Sequence, residues 1–235
     1  MDAFFSTYRK SKYREWSTQG VREAEKIGIM FSKETPPQSL LEIFLEGIYD
    51  FTDFYPREGD VVIDVGAGYG DSALWWWKKF GAVVYAYEVL PRVYNVLAEN
   101  IRLNNASVNI FNLAIGDGNL TSGYLSALGN MLQIAHDTHE GYDFLTTKID
   151  SLNIPEPAII KIDVEGFELK VLHGAEKIIE YHKPRIIIET HSTELRKECH
   201  AFLRKREYIL KQVGRTVKPK HSWMDEVTNL FYSSG

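Results

Sequence analysis

Three glycines at alternate positions, Gly66, Gly68 and Gly70, close the run Asp64-Val65-Gly66-Ala67-Gly68-Tyr69-Gly70. The run follows the continuously apolar Val61-Val62-Ile63-Asp64-Val65 and precedes a helix-forming stretch from Asp71 to Phe80. A short unbroken apolar run is what a parallel strand buried on both faces requires. Glycine lacks Cβ, so the chain can turn tightly after such a strand and bring its backbone against a ligand. The helix beyond starts with unsatisfied N–H groups. A strand, a glycine turn and a helix in this order predict an α/β fold with a nucleoside-sized ligand at the carboxyl ends of the strands.

The rest of the chain repeats the alternation. Residues 82–87 read as a second strand, and Pro91 opens a helix through Val93, Val96, Leu97 and Ile101 at a position where its missing N–H costs nothing. Further strands are expected at 108–111, 158–163 and 185–189, with helices over 168–181 and 192–205. Strands at 208–213 and 229–232 have only a loop between them, which predicts an antiparallel pair. Seven strands mostly separated by helices predict a doubly wound, mostly parallel sheet. Residues 117–150 are less regular and suggest a hairpin insertion. Residues 1–37 form a predicted helical extension, closed by Thr35-Pro36-Pro37, and residues 38–235 form the main domain. Leu40, Leu41, Ile43, Phe44, Leu45 and Ile48 have helical spacing. Trp75-Trp76-Trp77 covers about 300° of a helix, so at least one tryptophan must face the extension or a partner.

Composition removes several alternatives. With 27 Lys and Arg against 32 Asp and Glu, the net charge of −5 supplies no global attraction for nucleic acid. A single cysteine, Cys199, rules out an intrachain disulfide and a cysteine-rich zinc site, and a packed side chain in a reducing cytoplasm is expected. The polar, basic start lacks the apolar stretch of a secretory signal. No run reaches the roughly 20 apolar residues of a membrane span. Lys211, Arg215, Lys218, Lys220 and His221 form a basic run, next to Trp223 and Met224, which could roof a pocket.

The ligand is readable from the spacing. A dinucleotide turn runs G-x-G-x-x-G and seats a pyrophosphate. Here the pattern is G-x-G-x-G with Asp64 two residues upstream, and an acid there would repel pyrophosphate but suits the ammonium of a methionine moiety. Glu88 ends the second strand, where a carboxylate can accept both hydroxyls of a ribose.

Charge gathers at two later strand ends. Lys161, Asp163 and Glu165 are spaced by two and share one face of an extended chain, as do Glu189 and His191. If those strands are neighbours, Asp163, Glu165, Glu168, Glu189 and His191 meet near the reacting group. Asp163 or His191 could draw the proton from a substrate hydroxyl. Asp163, Glu189 and His191 could instead hold a divalent cation, with oxygen-rich ligation favouring magnesium or manganese. They could also simply position the substrate. In the alternative without chemistry, Lys161 pairs with Glu165 or Glu168 and His191 satisfies a backbone group.

Asp64–Gly70 resembles motif I of class I methyltransferases, which use S-adenosylmethionine (SAM). The wider chain resembles the FkbM-type subfamily. The resemblance runs through 59–67, Tyr87-Glu88-Val89-Leu90-Pro91, 99–104, 112–117, the block Ile160-Lys161-Ile162-Asp163-Val164-Glu165-Gly166-Phe167-Glu168, 171–175 and 184–189. Two departures stand out: Gly68-Tyr69 where the family more often has Asn-Ile, and Val89 between Glu88 and the Leu-Pro pair. The resemblance implies SAM as methyl donor and O-methylation, often of a sugar-derived hydroxyl or carboxylate. It implies the ribose role for Glu88, the methionine end for Asp64, Gly66, Ala67, Gly68 and Gly70, and the adenine for Ala114, Ile115 and Asp117. From the charge cluster itself, catalytic roles are expected among Lys161, Asp163, Glu189 and His191, with Glu165 and Glu168 positioning the substrate. An RNA or protein substrate, and an NAD-dependent oxidoreductase, are the alternatives.

Overall fold

The computed structural model describes residues 18–125, 132–134, 142–217 and 227–235. A seven-stranded sheet runs in the order β3 (Asn109–Phe111), β2 (Val83–Tyr87), β1 (Val61–Val65), β7 (Pro157–Ile162), β8 (Arg185–Thr190), β10 (Val227–Ser234), β9 (Tyr208–Val217). β10 runs antiparallel to both of its neighbours, and the other described pairings in this sheet are parallel. The doubly wound sheet with an antiparallel last strand is therefore as expected. One feature is not readable locally: β10 inserts between β8 and β9, so the final hairpin wraps its second strand inward.

Alternation along β1 explains the two cores. Val62 packs on one face with Val84, Leu74, Trp76, Leu97 and the early residues Ala24, Ile29 and Tyr49. Ile63 and Val65 pack on the other with Ile160, Leu172, Ile179 and Leu203. Successive strand residues point to opposite faces, and both faces are covered by helices. The first face carries α1 (residues 18–26) and α3 (Asp71–Phe80), and the second carries α5 (Glu168–Gly174), α6 (Glu176–His182) and α7 (Thr193–Arg204). Trp75 and Trp76 are buried and Trp77 only partly, as helical geometry demands. Trp76 stacks on Tyr49 at 5.7 Å. Cys199 is fully buried, the plain reading of a lone cysteine. Among the described residues no helix is long and apolar enough to cross a membrane.

Three segments differ from expectation. The helix expected over 40–48 is one turn, α2 (Leu41–Phe44), preceded by a 3-10 turn at Pro37–Leu40, and Gly47 at φ +61° turns the chain away. The helix expected over 168–181 is two, broken at Ala175. The Asp150 carboxylate accepts from the amides of Lys177 and Ile178 at 2.9 and 3.0 Å, which gives α6 a separate N-terminal cap supplied from another part of the chain. The irregular insertion is a three-stranded antiparallel sheet in the order β5 (Leu132–Ile134), β4 (Leu120–Leu125), β6 (Tyr142–Leu145), one strand more than a hairpin. Much of the basic run, with Trp223 and Met224, lies outside the described residues.

Asn100, on α4 (Pro91–Leu103), ties the early chain to the glycine turn. Its Nδ2 donates to Thr35 Oγ1 and to the Tyr69 carbonyl, both at 2.8 Å, and its Oδ1 accepts from the Ser32 amide at 2.7 Å. A fully buried amide satisfied on both sides fixes residues 32–35 against the glycine turn.

Candidate active site

The glycine turn is pinned by its own backbone. The amides of Gly66 and Ala67 both donate to the Tyr87 carbonyl at 3.0 Å, which locks the end of β1 to the end of β2. Gly66, Gly68 and Gly70 all have positive φ, at +78°, +52° and +88°. Gly70 caps α3 in the left-handed region, and a Cβ there would stand 2.5 Å from Leu97.

Around this turn lies a cavity of about 320 Å³, within the ordinary range for small-molecule sites. Gly66, Ala67, Gly68, Glu88, Ala114, Ile115, Lys161, Asp163 and Glu165 line it, so residues from four separate chain segments converge there. Glu88 is 7% exposed; its Oε2 accepts from the Gly68 amide at 3.0 Å and its Oε1 from Leu90 at 2.8 Å. Each oxygen keeps a lone pair for a further donor. Burial pushes its carboxyl up to about 7, against the pull of those two amides.

Asp64 sits elsewhere than its spacing suggested. It is fully buried, ion-paired to Lys161 at 3.1 Å through Oδ1, and accepts from Ser72 Oγ at 2.6 Å through Oδ2. On the strand its side chain points to the face covered by the helix that starts at Asp71, where Ser72 meets it, and braces the turn from behind. The acid on the cavity wall near the turn is Asp71, the first residue of α3, pushed up to about 7 mainly by burial. Gly70 and Asp117 also lie off the cavity wall. Asp117 Oδ1 accepts from the Asn119 amide at 3.1 Å and lies 3.4 Å from Thr146 Oγ1, in a local turn.

Lys161 is 3% exposed and donates to the Gly66 carbonyl at 2.6 Å, with Asp163 at 3.6 Å. Burial opposes its charge, but Asp64, Asp163 and Asp71 outweigh that and hold the ammonium well above its ordinary range. Its partners are therefore Asp64 and Asp163 rather than Glu165 or Glu168. A permanently protonated, fully engaged ammonium positions the turn and Asp163; it cannot act as a base.

His191 is 2% exposed and faces four carboxylates. Nδ1 lies 2.7 Å from Glu168; Nε2 lies 3.5 Å from Glu165, 3.6 Å from Glu189 and 3.7 Å from Asp163. Burial disfavours the imidazolium, yet Glu168, Glu165 and Asp163 prevail and raise its pKa well above 6.5. Among these carboxylates the imidazolium form is favoured, and an imidazolium has no lone pair with which to take a proton. Glu168 is fully buried and also accepts from the Gly166 amide at 3.0 Å. Burial first, and Asp163 next, push Glu189 up to about 8, and burial pushes Glu165 up to about 7. Asp163, Glu189 and His191 offer ligand atoms within 4.8 Å of one another. Of this group only Asp163 and Glu165 reach the cavity; Glu168, Glu189 and His191 stand behind them.

Sequence reasoning missed several wall residues. Tyr49 and Glu42 come from the early chain, Phe144 from β6, and Phe167 from the turn before α5. Tyr69, a departure from the family pattern, is also on the wall. No local signal marks Tyr49 or Glu42; Phe167 could have been suspected beside Glu165.

A doubly wound sheet whose glycine turn, second-strand acid and fourth-position charge cluster share one cavity defines the class I methyltransferase architecture. The methyltransferase FkbM domain matches residues 64–215, and the chain belongs to that methyltransferase family. The hexuronic acid methyltransferase AglP of Haloferax volcanii is 31% identical over 145 residues, 58% of this chain; the match spans 58% of that protein. The precorrin-6y C5,15-methyltransferase of Geobacter metallireducens GS-15 shares the fold with a TM-score of 0.54 at 13% identity, over 88% of this chain and 93% of that one. Methyltransferase FkbM of Methylobacillus flagellatus KT does so with a TM-score of 0.52 at 16% identity, over 93% of this chain and 59% of that one.

Proposed function

We propose that this protein transfers a methyl group from SAM to an oxygen of a sugar or sugar-like small molecule. The observation that carries this reading is the shared cavity: a pinned glycine turn, a buried Glu88 with acceptor capacity to spare, and Asp163 on the same wall. When bound, SAM supplies an electrophilic methyl on a sulfonium. Glu88 accepts the ribose hydroxyls, and Ala114 and Ile115 pack against the adenine. The turn at Gly66–Gly68 and the Asp71 carboxylate receive the amino-acid end. Asp163 draws the acceptor's proton and orients its oxygen, while Lys161 and His191 hold Asp163 in place from either side. The relative named for hexuronic acid supports a sugar-like acceptor. Calorimetry with SAM and its demethylated product tests the cofactor: heat from both is expected, and none from NAD.

Binding should depend on pH through Glu88. Ribose hydroxyls favour the carboxylate, so the bound pKa falls below about 7 and binding releases a proton. SAM affinity is expected to rise with pH and level off above about 7, losing at most about tenfold per unit on the acid side through this group. Glu88→Gln should weaken binding and flatten that slope. An unchanged profile in the variant removes Glu88 from the ribose.

In the trio of Asp163, Glu189 and His191, an imidazolium is balanced by carboxylates. Nδ1 is held by Glu168, and the Nε2 separations of 3.5–3.7 Å are those of ion pairs. Exhaustive chelation is expected to leave turnover unchanged. Loss of activity restored by magnesium or manganese would make the trio a metal centre instead.

A further inference from the structure

Tyr49 brings an uncommitted hydroxyl to the cavity wall. Its side chain is 4% exposed, and its ring stacks on Trp76 of α3 at 5.7 Å with 16° between the planes. A buried tyrosine normally finds a partner for its O–H. Among the described residues none hydrogen-bonds to this hydroxyl, and its oxygen reaches the cavity. The chain beyond Tyr49 shows which side of the cavity it serves. Phe51 and Phe54 each meet Phe231 of β10 edge-on, with ring centroids 5.5 and 5.3 Å apart. Phe231 pairs in register with Ile187 of β8. Arg185, at the start of β8, donates to the carbonyls of Asp53 and Tyr55 at 3.0 and 2.9 Å. This segment is thus anchored over β8 and β10. Glu88 and Ala114 follow β2 and β3, on the other side of β1 in the sheet order. Tyr49 and the groups assigned to the nucleoside therefore approach from opposite sides of the glycine turn. Of the charged groups around it, Asp163 acts most strongly on the hydroxyl and Glu189 next.

We propose that Tyr49 positions the acceptor: its hydroxyl donates a hydrogen bond to the sugar oxygen neighbouring the one that is methylated, while Asp163 engages the reacting oxygen. The inference rests on the SAM-dependent reading above and adds a contact on the acceptor side. Burial, and then Asp163 and Glu189, push the phenol well above its ordinary range, so it stays neutral and cannot serve as a base. A neutral hydroxyl donates one hydrogen bond, whereas an ionised carboxylate only accepts. A vicinal pair of sugar hydroxyls answers both: one donates to Asp163 and the next accepts from Tyr49. Donation to the reacting oxygen itself would draw electron density away from the methyl group, so the neighbouring oxygen is the better partner.

The stack on Trp76 gives this contact its value. Trp76 is 1% exposed, so the ring above it is held and the direction of the O–H axis is restricted before the acceptor arrives. A preorganised donor loses little freedom on binding. An acceptor lacking the partner oxygen would leave a buried O–H unpaired, which costs more than the hydrogen bond alone is worth. Tyr49 and Asp163 should therefore separate in their kinetics. A contact made equally in the ground and transition states lowers KM and leaves kcat in place. A group that takes the proton acts on kcat.

The test uses the full chain, radiolabelled SAM and a panel of methyl pyranosides with their uronates. Tyr49→Phe keeps the ring on Trp76 and removes only the oxygen. Its Tm, and its SAM affinity by calorimetry, are expected to match those of the parent. KM for the best-labelled pyranoside should rise by about three- to tenfold with kcat little changed, the scale of one hydrogen bond. Mono-deoxy versions of that pyranoside locate the partner. The analogue lacking the oxygen beside the methylated one should lose the same factor with the parent and nothing further with Tyr49→Phe. An unchanged KM in Tyr49→Phe, a fall in its SAM affinity, a lowered Tm, additive losses at every deoxy position, or no label in any pyranoside would each overturn the inference. Calorimetry with the parent and SAM separates the two levels: heat of binding together with any of these outcomes overturns the Tyr49 assignment alone, while silence overturns the cofactor reading beneath it.

Discussion

Asp163→Asn is expected to lower kcat by about 10²–10⁴-fold, the usual contribution of a positioned proton acceptor, while leaving SAM affinity within a few-fold of the parent. The split follows from where the side chain sits. The Asp163 side chain is 28% exposed and lies on the cavity wall, whereas the groups proposed to hold the cofactor are the turn amides, Asp71 and Glu88. Its carboxylate lies between two buried cations, Lys161 at 3.6 Å and His191 at 3.7 Å, which fix its direction. Asparagine keeps the shape and can still accept one hydrogen bond, but cannot take a proton. Single-turnover rates with saturating SAM, paired with calorimetry on the same sample, measure the two quantities. Equal loss of both would place Asp163 in the cofactor site. Turnover that survives would leave positioning alone to account for the rate.

Among the glycines of the described residues, Gly66→Ala should be one of the most damaging added methyl groups, because it combines a backbone clash with a positive φ. A Cβ at Gly66 would lie 1.7 Å from the Asp163 carbonyl oxygen and 3.2 Å from Val164 Cγ1, and the residue has φ +78°. The neighbour is backbone, held by the Asp163 amide donating to the Val65 carbonyl at 3.0 Å, so it cannot swing aside. The glycine turn and the turn carrying Asp163 would have to part. We expect a loss of more than about 3 kcal/mol, which for a chain of this size lowers Tm by roughly 6–12 °C. SAM binding should vanish, because the amides at Gly66 and Ala67 are pinned to Tyr87 through the same turn. Thermal unfolding with and without SAM reads both effects. A variant that melts like the parent and still gains stability from SAM would show that the two turns are not in rigid contact. Gly68→Ala is the contrast: no atom stands within 4 Å of its added Cβ, so only the backbone strain of φ +52° remains.

Legibility in the sequence followed the range of the interactions. Asp64–Gly70 and the apolar runs 61–65, 158–162 and 185–188 are local patterns, and they led directly to β1, β7, β8 and the cavity beside them. Glu88 could be placed because a strand end fixes where its next residue goes. The helix break at Ala175 could not, because its cause is Asp150, more than twenty residues away in the chain. Asp64 was misplaced for a related reason. Spacing put it near the ligand, but whether a strand-end acid faces the cavity or the interior depends on Lys161 and Ser72, which only folding brings within 3.1 and 2.6 Å.

The sequence by itself determined the class of fold, the glycine turn and the residue types gathered at the strand ends, because hydrophobic period and glycine spacing act over a few residues. Only the tertiary structure decided which of those charges are spent on each other. Lys161 and His191 look like chemistry in one dimension; in three they are buried cations surrounded by carboxylates, and charge buried away from water must be paired. The same folding brought Glu42 and Tyr49 from the early chain onto the cavity wall, where no local pattern announced them.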